Sequence, residues 1–348
     1  AQYITDVCLI LVFLISAIYA LIIILGLNLN YNNIFNKYGL ITLMVPVIVL
    51  TNGIRFLFIS YLNRYKEYKM ISVLGIVREG SRALIQVGAG VFSYGVFWLV
   101  MGYAVSPLVG IKIQIKNYLE KFRLRPRLTI NKFQEIVFDK GRRQILFLLP
   151  AQFINTFSSS LITISIATLF SAQALGYYSV GVRILEVPII FIAANVSKVC
   201  YQKVSENIAN NKLVFKILLQ IIIVLSLISA IGFSVLYVIA PTFSEFMFGS
   251  GYNIAGEYIR CLCIMYAVRL VSTSFAGVFT VFKKQSFELV MNILLLVAAG
   301  VNYWVCSVFD YDILMYLKFM NWGYTMVYLM MLFGYVFSCY KHDKETIQ

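Results

Sequence analysis

Charge is scarce in this sequence, and negative charge is scarcest. Among 348 residues only 13% are charged, with 15 Asp and Glu against 29 Lys and Arg, for a formal net charge of +14. A soluble domain carries about 25% charged residues. A chain with roughly half that share cannot cover a globule with hydrated surface, which excludes a soluble enzyme. A hydrophobic content of 61% excludes a disordered chain. There is one histidine, His342, and the six cysteines form no C-x-x-C pair. That excludes a disulfide scaffold and leaves too few converging ligands for a metal site, so neither metal nor cofactor is expected. A basic surface interleaved with stacking aromatics is also missing outside the apolar runs, so no nucleic-acid partner is expected.

Long apolar runs are present in quantity. A helix needs roughly 20 apolar residues to cross the hydrocarbon core. About ten stretches meet that requirement, near 7–29, 38–62, 69–89, 92–113, 143–168, 174–198, 213–240, 255–280, 286–308 and 313–339. Gly88, Gly90 and Gly95 mark the turn between the third and fourth. The run from Val7 to Leu27 exceeds the ~7–15 residue apolar core of a signal peptide and reads as a span. The chain opens on Ala1, which suggests sequence upstream of it. The expected fold is all-α: a polytopic membrane helix bundle of about ten transmembrane helices in two lobes.

Most of the 29 basic residues sort onto alternate loops. Arg64, Lys66 and Lys69 follow the second span, and ten residues from Lys112 to Arg143 follow the fourth. Lys198 to Lys216 follow the sixth, Lys283 and Lys284 the eighth, and Lys341 and Lys344 lie in the tail. The opposite loops hold Lys37 and the acids Glu245, Asp310 and Asp312. Cytoplasmic loops are the ones rich in Lys and Arg, so both ends of the chain are expected in the cytoplasm. The domain plan is a four-helix lobe at 1–113, a basic cytoplasmic linker at 114–142 lying on anionic lipid, and a six-helix lobe at 143–348.

A few charges fall inside the predicted spans, where each costs at least about 2.5–3.5 kcal/mol. Arg78 and Arg82 share a helix face at i, i+4, with Glu79 beside them. They either flank an anion or snorkel to the interface. Arg183 and Glu186 lie at i, i+3 just before Pro188, either as an ion pair at a proline kink or as a cavity-facing Arg with its counter-ion. Arg269 is the deepest charge of the eighth span, whereas Arg55, Arg260 and Lys318 lie nearer helix ends and snorkel. Glu79 and Glu186 are the acids that qualify as intramembrane carboxylates. An interior richer in cations than anions suits an anionic substrate such as a phosphate, which the Arg fork binds with paired hydrogen bonds. Tyr177, Tyr178, Tyr266 and Trp98 are candidates to stack on sugar rings or to form an interfacial belt.

The stretch from Leu175 through Gly176, Tyr177, Tyr178, Ser179, Arg183 and Glu186 to Pro188, continuing to Glu206, resembles the polysaccharide repeat-unit flippases. These belong to the multidrug/oligosaccharidyl-lipid/polysaccharide (MOP) exporter superfamily. The proline of the family's following motif is replaced here within Tyr201 to Ser205. The resemblance implies two six-helix lobes, of which the N-terminal one lacks its first two helices in this chain. It further implies alternating-access movement of an undecaprenyl-diphosphate-linked oligosaccharide across the bacterial inner membrane, for O-antigen, capsule or exopolysaccharide assembly. Arg183 matches the family motif and takes a substrate-facing role, with membrane lipids, a polysaccharide polymerase and a chain-length regulator as implied partners. Arg78, Arg82, Arg269 and Glu186 are substrate-binding candidates on the charge argument alone.

The rivals are a cation-coupled multidrug exporter of the same superfamily, which would need cavity carboxylates, and a membrane glycosyltransferase or polymerase. For the latter, Asp310-Tyr311-Asp312 is a short D-x-D string. A sugar facilitator would carry a Gly-rich basic loop where Lys198 to Lys212 has no Gly.

Overall fold

The computed structural model describes residues 2–28, 40–65, 67–92, 95–121, 142, 144–210, 212–282 and 284–347. Among them there is no strand. The chain divides into two compact units, Ala1–Gln134 and Glu135–Gln348.

The first unit holds α1 (Gln2–Asn28), α2 (Leu40–Arg64), α3 (Tyr68–Val91), α4 (Val96–Val105) and α5 (Ile111–Lys121), with a 3-10 turn at Ser106–Leu108 between the last two. α1 exposes Leu11, Phe13, Ile18, Leu21 and Ile22, as expected of a helix side that faces acyl chains. Gly53 lets α2 approach α1, since a Cβ there would strike Val12. The Ser16 hydroxyl of α1 donates to the Pro46 carbonyl of α2 at 2.9 Å. Phe58, Tyr61, Leu62, Leu74 and Tyr118 form a small buried cluster. The Tyr118 hydroxyl donates to Asp6 at 2.6 Å.

The second unit begins with a π-helical turn (Gln144–Leu148) and α6 (Leu149–Leu169). α7 (Ala172–Pro188) passes through a second π turn (Ile189–Ala193) into α8 (Ala194–Ala209). α9 (Phe215–Phe248), α10 (Asn253–Thr273), the short α11 (Ala276–Val281), α12 (Gln285–Phe309) and α13 (Ile313–Ile347) complete it. α10 buries residues on most of its sides, from Ala255 to Ser272, and so lies in the interior of the unit. It packs on α7, α9 and α13.

Nine helical segments among the described residues are long and apolar enough to cross a membrane. The chain is therefore a multi-pass membrane protein. The third expected span, 69–89, forms as α3, but Lys69, Arg78, Glu79 and Arg82 make it too polar to meet the same measure. Several ends differ from expectation. The fourth span runs to Tyr118, into the predicted linker, and the rest of that linker (122–141) lies outside the described residues. The sixth runs unbroken to Ala209, because Pro188 opens a π turn instead of ending the helix. Lys198 and Lys203 are accordingly helical.

The seventh expected span stops before Pro241, yet α9 continues to Phe248. Proline has no N–H for the carbonyl four residues back, which here is Tyr237. Arg260 of α10 fills that place, its Nε donating to the Tyr237 oxygen at 2.9 Å and Nη2 to the Val238 oxygen at 3.3 Å. Glu257 holds the same guanidinium at 2.8 Å. Arg260 thus bonds a neighbouring helix, where snorkelling was expected. Gly256 allows the approach, since a Cβ there would collide with the backbone of Pro241. At the other end of α9, the buried Asp343 of α13 accepts from Val214 N (2.9 Å) and Phe215 N (2.8 Å). That places an anion on a helix N-terminus, where orphan donors and the dipole favour it.

Candidate functional site

Within the second unit, three helices bring polar side chains to one place. α7 supplies Tyr178 and Glu186, α10 supplies Tyr266 and Arg269, and α13 supplies Tyr324 and Tyr328. The pairs recur at helical spacing, i, i+3 on α10 and i, i+4 on α13, so each helix turns one face to the cluster. The Arg269 guanidinium lies 3.7 Å from a Glu186 oxygen and 5.2 Å from the Tyr266 ring centroid. Tyr178, Tyr266 and Tyr328 all lie within electrostatic reach of it. Ser158 of α6 hydrogen-bonds the Tyr324 hydroxyl, and Tyr324 meets Tyr328 edge-on at 6.3 Å.

The ion pair is long. At 3.7 Å it is past the range of about 2.7–3.2 Å for an N–H···O bond, so Glu186 balances the charge without consuming the fork. Neither side chain is sealed: Arg269 is 25% exposed and Glu186 40%. Phenolic hydroxyls and an open guanidinium together suit a phosphate or a sugar.

The expected Arg183–Glu186 pair does not form. Glu186 turns to Arg269 on α10, while Arg183 is exposed and has no ion-pair or hydrogen-bond partner among the described residues. Sequence spacing shows only the i, i+3 neighbour, and the better cation comes from another helix.

In the first unit, Arg78 and Arg82 do not converge on a common point. Arg78 is 4% exposed and spends its donors on the scaffold. Its Nε bonds the Val109 carbonyl at 3.2 Å and its Nη2 bonds the Gln114 oxygen at 2.9 Å. The Val109 carbonyl is available because the chain breaks between α4 and α5, where Gly110 takes a φ of +78. Arg82 pairs with Glu79 at 3.1 Å, as their spacing suggests, and lies over the Tyr103 ring at 5.3 Å.

Glu288 is a buried carboxylate that the charge inventory passed over. It sits in the first turn of α12, where Gln152 of α6 donates to it at 3.4 Å, and its other oxygen is unpartnered among the described residues. Asn292, one turn on, donates to the Glu288 carbonyl at 3.0 Å. Position 288 falls inside the predicted span 286–308, and that was the available signal. The D-x-D string is a turn: Asp310 has a φ of 48, and Asp312 accepts from Met315 N at 3.1 Å at the start of α13. Of the aromatic candidates, Tyr178 and Tyr266 are at the Arg269 cluster. Tyr177 packs on Tyr252 and Tyr258, and Trp98 lies beside Phe97 in the first unit.

The sequence model of the family described as "Polysaccharide biosynthesis protein" matches residues 2–256. The chain belongs to this polysaccharide biosynthesis protein family. The family assignment agrees with the resemblance carried by residues 175–206. Comparison with curated proteins found no match. Among solved structures, a multidrug resistance MATE family transporter of the MOP superfamily, inward-facing, superimposes with a TM-score of 0.71 at 14% identity, over 98% of this chain and 82% of the other. The lipid II flippase MurJ in an inward closed conformation gives 0.69 at 12% identity, over 97% and 75%. The Vibrio cholerae MATE transporter VcmN in its bent form gives 0.59 at 16%, over 97% and 78%. At these identities the likeness shows the fold alone. This polysaccharide biosynthesis protein thus has a fold found in MOP-superfamily transporters.

Proposed function

We propose that the protein is a flippase that moves an undecaprenyl-diphosphate-linked oligosaccharide across the bacterial inner membrane by alternating access, for O-antigen, capsule or exopolysaccharide assembly. The observation that carries this reading is Arg269, inside a membrane-spanning helix, neutralised by Glu186 at 3.7 Å and surrounded by tyrosines. A cation in that position is costly unless something uses it, and its fork matches a phosphate. The family and the lipid II flippase fold support a lipid-linked substrate. Both chain ends lie in the cytoplasm, and polymerase and chain-length regulator are the partners that take the flipped unit.

Arg269 meets the diphosphate and Glu186 holds it when the site is empty. Arg183, exposed one helical turn before Glu186, gives the approaching headgroup a second cation. In the first unit, Arg82, 34% exposed beside Glu79, is a separate candidate cation for the substrate, and Arg78 holds α3 in place. No step of this mechanism makes or breaks a covalent bond.

The test is vesicles containing the full-length protein and a fluorescent polyprenyl-diphosphate oligosaccharide. Probe is expected to reach the opposite leaflet with the protein present, and Arg183→Ala is expected to abolish this at unchanged protein level. Transfer that ignores the oligosaccharide lipid but exports an organic cation would assign the chain to drug export instead.

A further inference from the structure

Three helices of the first unit meet at the apolar cluster of Phe58, Tyr61, Leu62, Leu74 and Tyr118. About one turn from that cluster, each helix presents a polar side chain on the same face. Arg55 of α2 stands three residues before Phe58, Arg78 of α3 four after Leu74, and Gln114 of α5 four before Tyr118. These three groups form a layer of their own. Arg78 Nη2 bonds the Gln114 oxygen at 2.9 Å, and the Arg55 guanidinium lies within electrostatic reach of Arg78.

The layer holds surplus donors and surplus positive charge. The bond from Arg78 takes the oxygen end of the Gln114 amide, and the Nε2 end is left buried with no partner among the described residues. Arg55 Nε is buried and unpartnered in the same way. Snorkelling was expected of Arg55, but it lies about 14 Å of helix short of Arg64, where α2 ends. Among the described residues no carboxylate pairs with Arg55 or Arg78: Asp6 accepts from Tyr118, and Glu79 pairs with Arg82.

Two like charges and two orphan donors inside a helix bundle are both costly, and one anion removes both costs. Burial limits its size. Gln114 is 1% exposed and Arg78 is also buried, so the layer is closed to a lipid headgroup or a sugar. A buried water would accept from the two donors but would leave the two charges uncompensated.

We propose that a small inorganic anion of halide type, chloride in the cell, sits among Arg55, Arg78 and Gln114 and stabilises the first unit. Arg55 Nε and Gln114 Nε2 donate to it, and Arg78 positions the Gln114 amide. This site does not depend on the flippase function.

The experiment uses the full-length protein. Crystals grown in bromide are expected to show an anomalous peak among these three residues. In detergent, chloride should raise the melting temperature by about 2–4 °C over gluconate at equal ionic strength, because gluconate is too large to enter. Gln114→Glu supplies the negative charge covalently, so it should melt higher than the unsubstituted protein in gluconate and lose the response to chloride. Arg55→Met should lose that response too. Equal melting of the unsubstituted protein in the two salts would overturn the proposal. So would a water or a lipid phosphate at these residues in the bromide crystals, or bromide bound only elsewhere. The bromide map of the unsubstituted protein decides the matter if either variant fails to fold.

Discussion

Arg78 and Arg269 both lie within long helices of apolar surroundings, and they are used in opposite ways. Arg78 is deeply buried and bonded to the Val109 carbonyl and to Gln114 across a break between two helices. Arg269 is partly open, with a carboxylate at 3.7 Å and tyrosines around it. On the proposed function, what separates a scaffold arginine from a ligand arginine is how many of its donors the protein already uses. Depth and the cost of burial do not make the distinction.

Between these two arginines, the larger effect should come from Arg269→Lys. It keeps the charge but loses the planar fork. Surface polysaccharide per molecule is expected to fall about ten- to hundredfold, since a hydrogen bond to a charged group is worth about 1.5–3 kcal/mol. Wild-type polysaccharide in that variant would show that charge alone suffices. Arg78→Met should act on the other quantity. It strands the buried Gln114 oxygen, at about 1–3 kcal/mol, and the part-buried Val109 carbonyl, so melting temperature and protein level drop while transport per molecule holds. An unchanged melting temperature would break the contrast.

Asp343→Ala comes next, at about 0.5–2 kcal/mol, the usual cost of a lost helix cap. The readout is hydrogen exchange at the first turn of α9, which should speed up there before elsewhere. Arg260→Met should cost about 1 kcal/mol through the stranded Tyr237 carbonyl, and replacing Pro241 by Ala in the same chain should recover it, because the restored N–H takes that carbonyl. Arg82→Ala is the smallest, within about 0–1 kcal/mol, because its pair with Glu79 is exposed.

Much of the fold was legible because hydropathy counts the spans directly: among the described residues, nine of the ten expected spans form with the length and apolarity to cross a membrane, and the other forms as α3. Helix ends were not, because apolar runs stop at the edge of the hydrocarbon while helices do not. α13 continues past residue 339 to Ile347, and α7 joins α8 through Ala209. The site was half legible. Arg269 and Glu186 stood out as charges in apolar runs, but their pairing crosses from α7 to α10 and has no local spacing to reveal it. The tyrosines were unreadable as a group, since Tyr178, Tyr266, Tyr324 and Tyr328 look like any interfacial aromatics until three helices bring them together. Arg260 was readable in principle: Pro241 inside an apolar run implies a carbonyl at Tyr237 that some donor must reach.

The central claim is that Arg269 acts on the substrate and Arg78 on the fold. Its most direct test compares Arg269→Met with Arg78→Met in vesicles, measuring polyprenyl-diphosphate oligosaccharide moved per protein molecule alongside melting temperature. The expected result is lost transfer with near-normal melting for Arg269→Met, and near-normal transfer with lowered melting for Arg78→Met. The reverse pattern, or transfer by Arg269→Met at the unsubstituted rate, would contradict it.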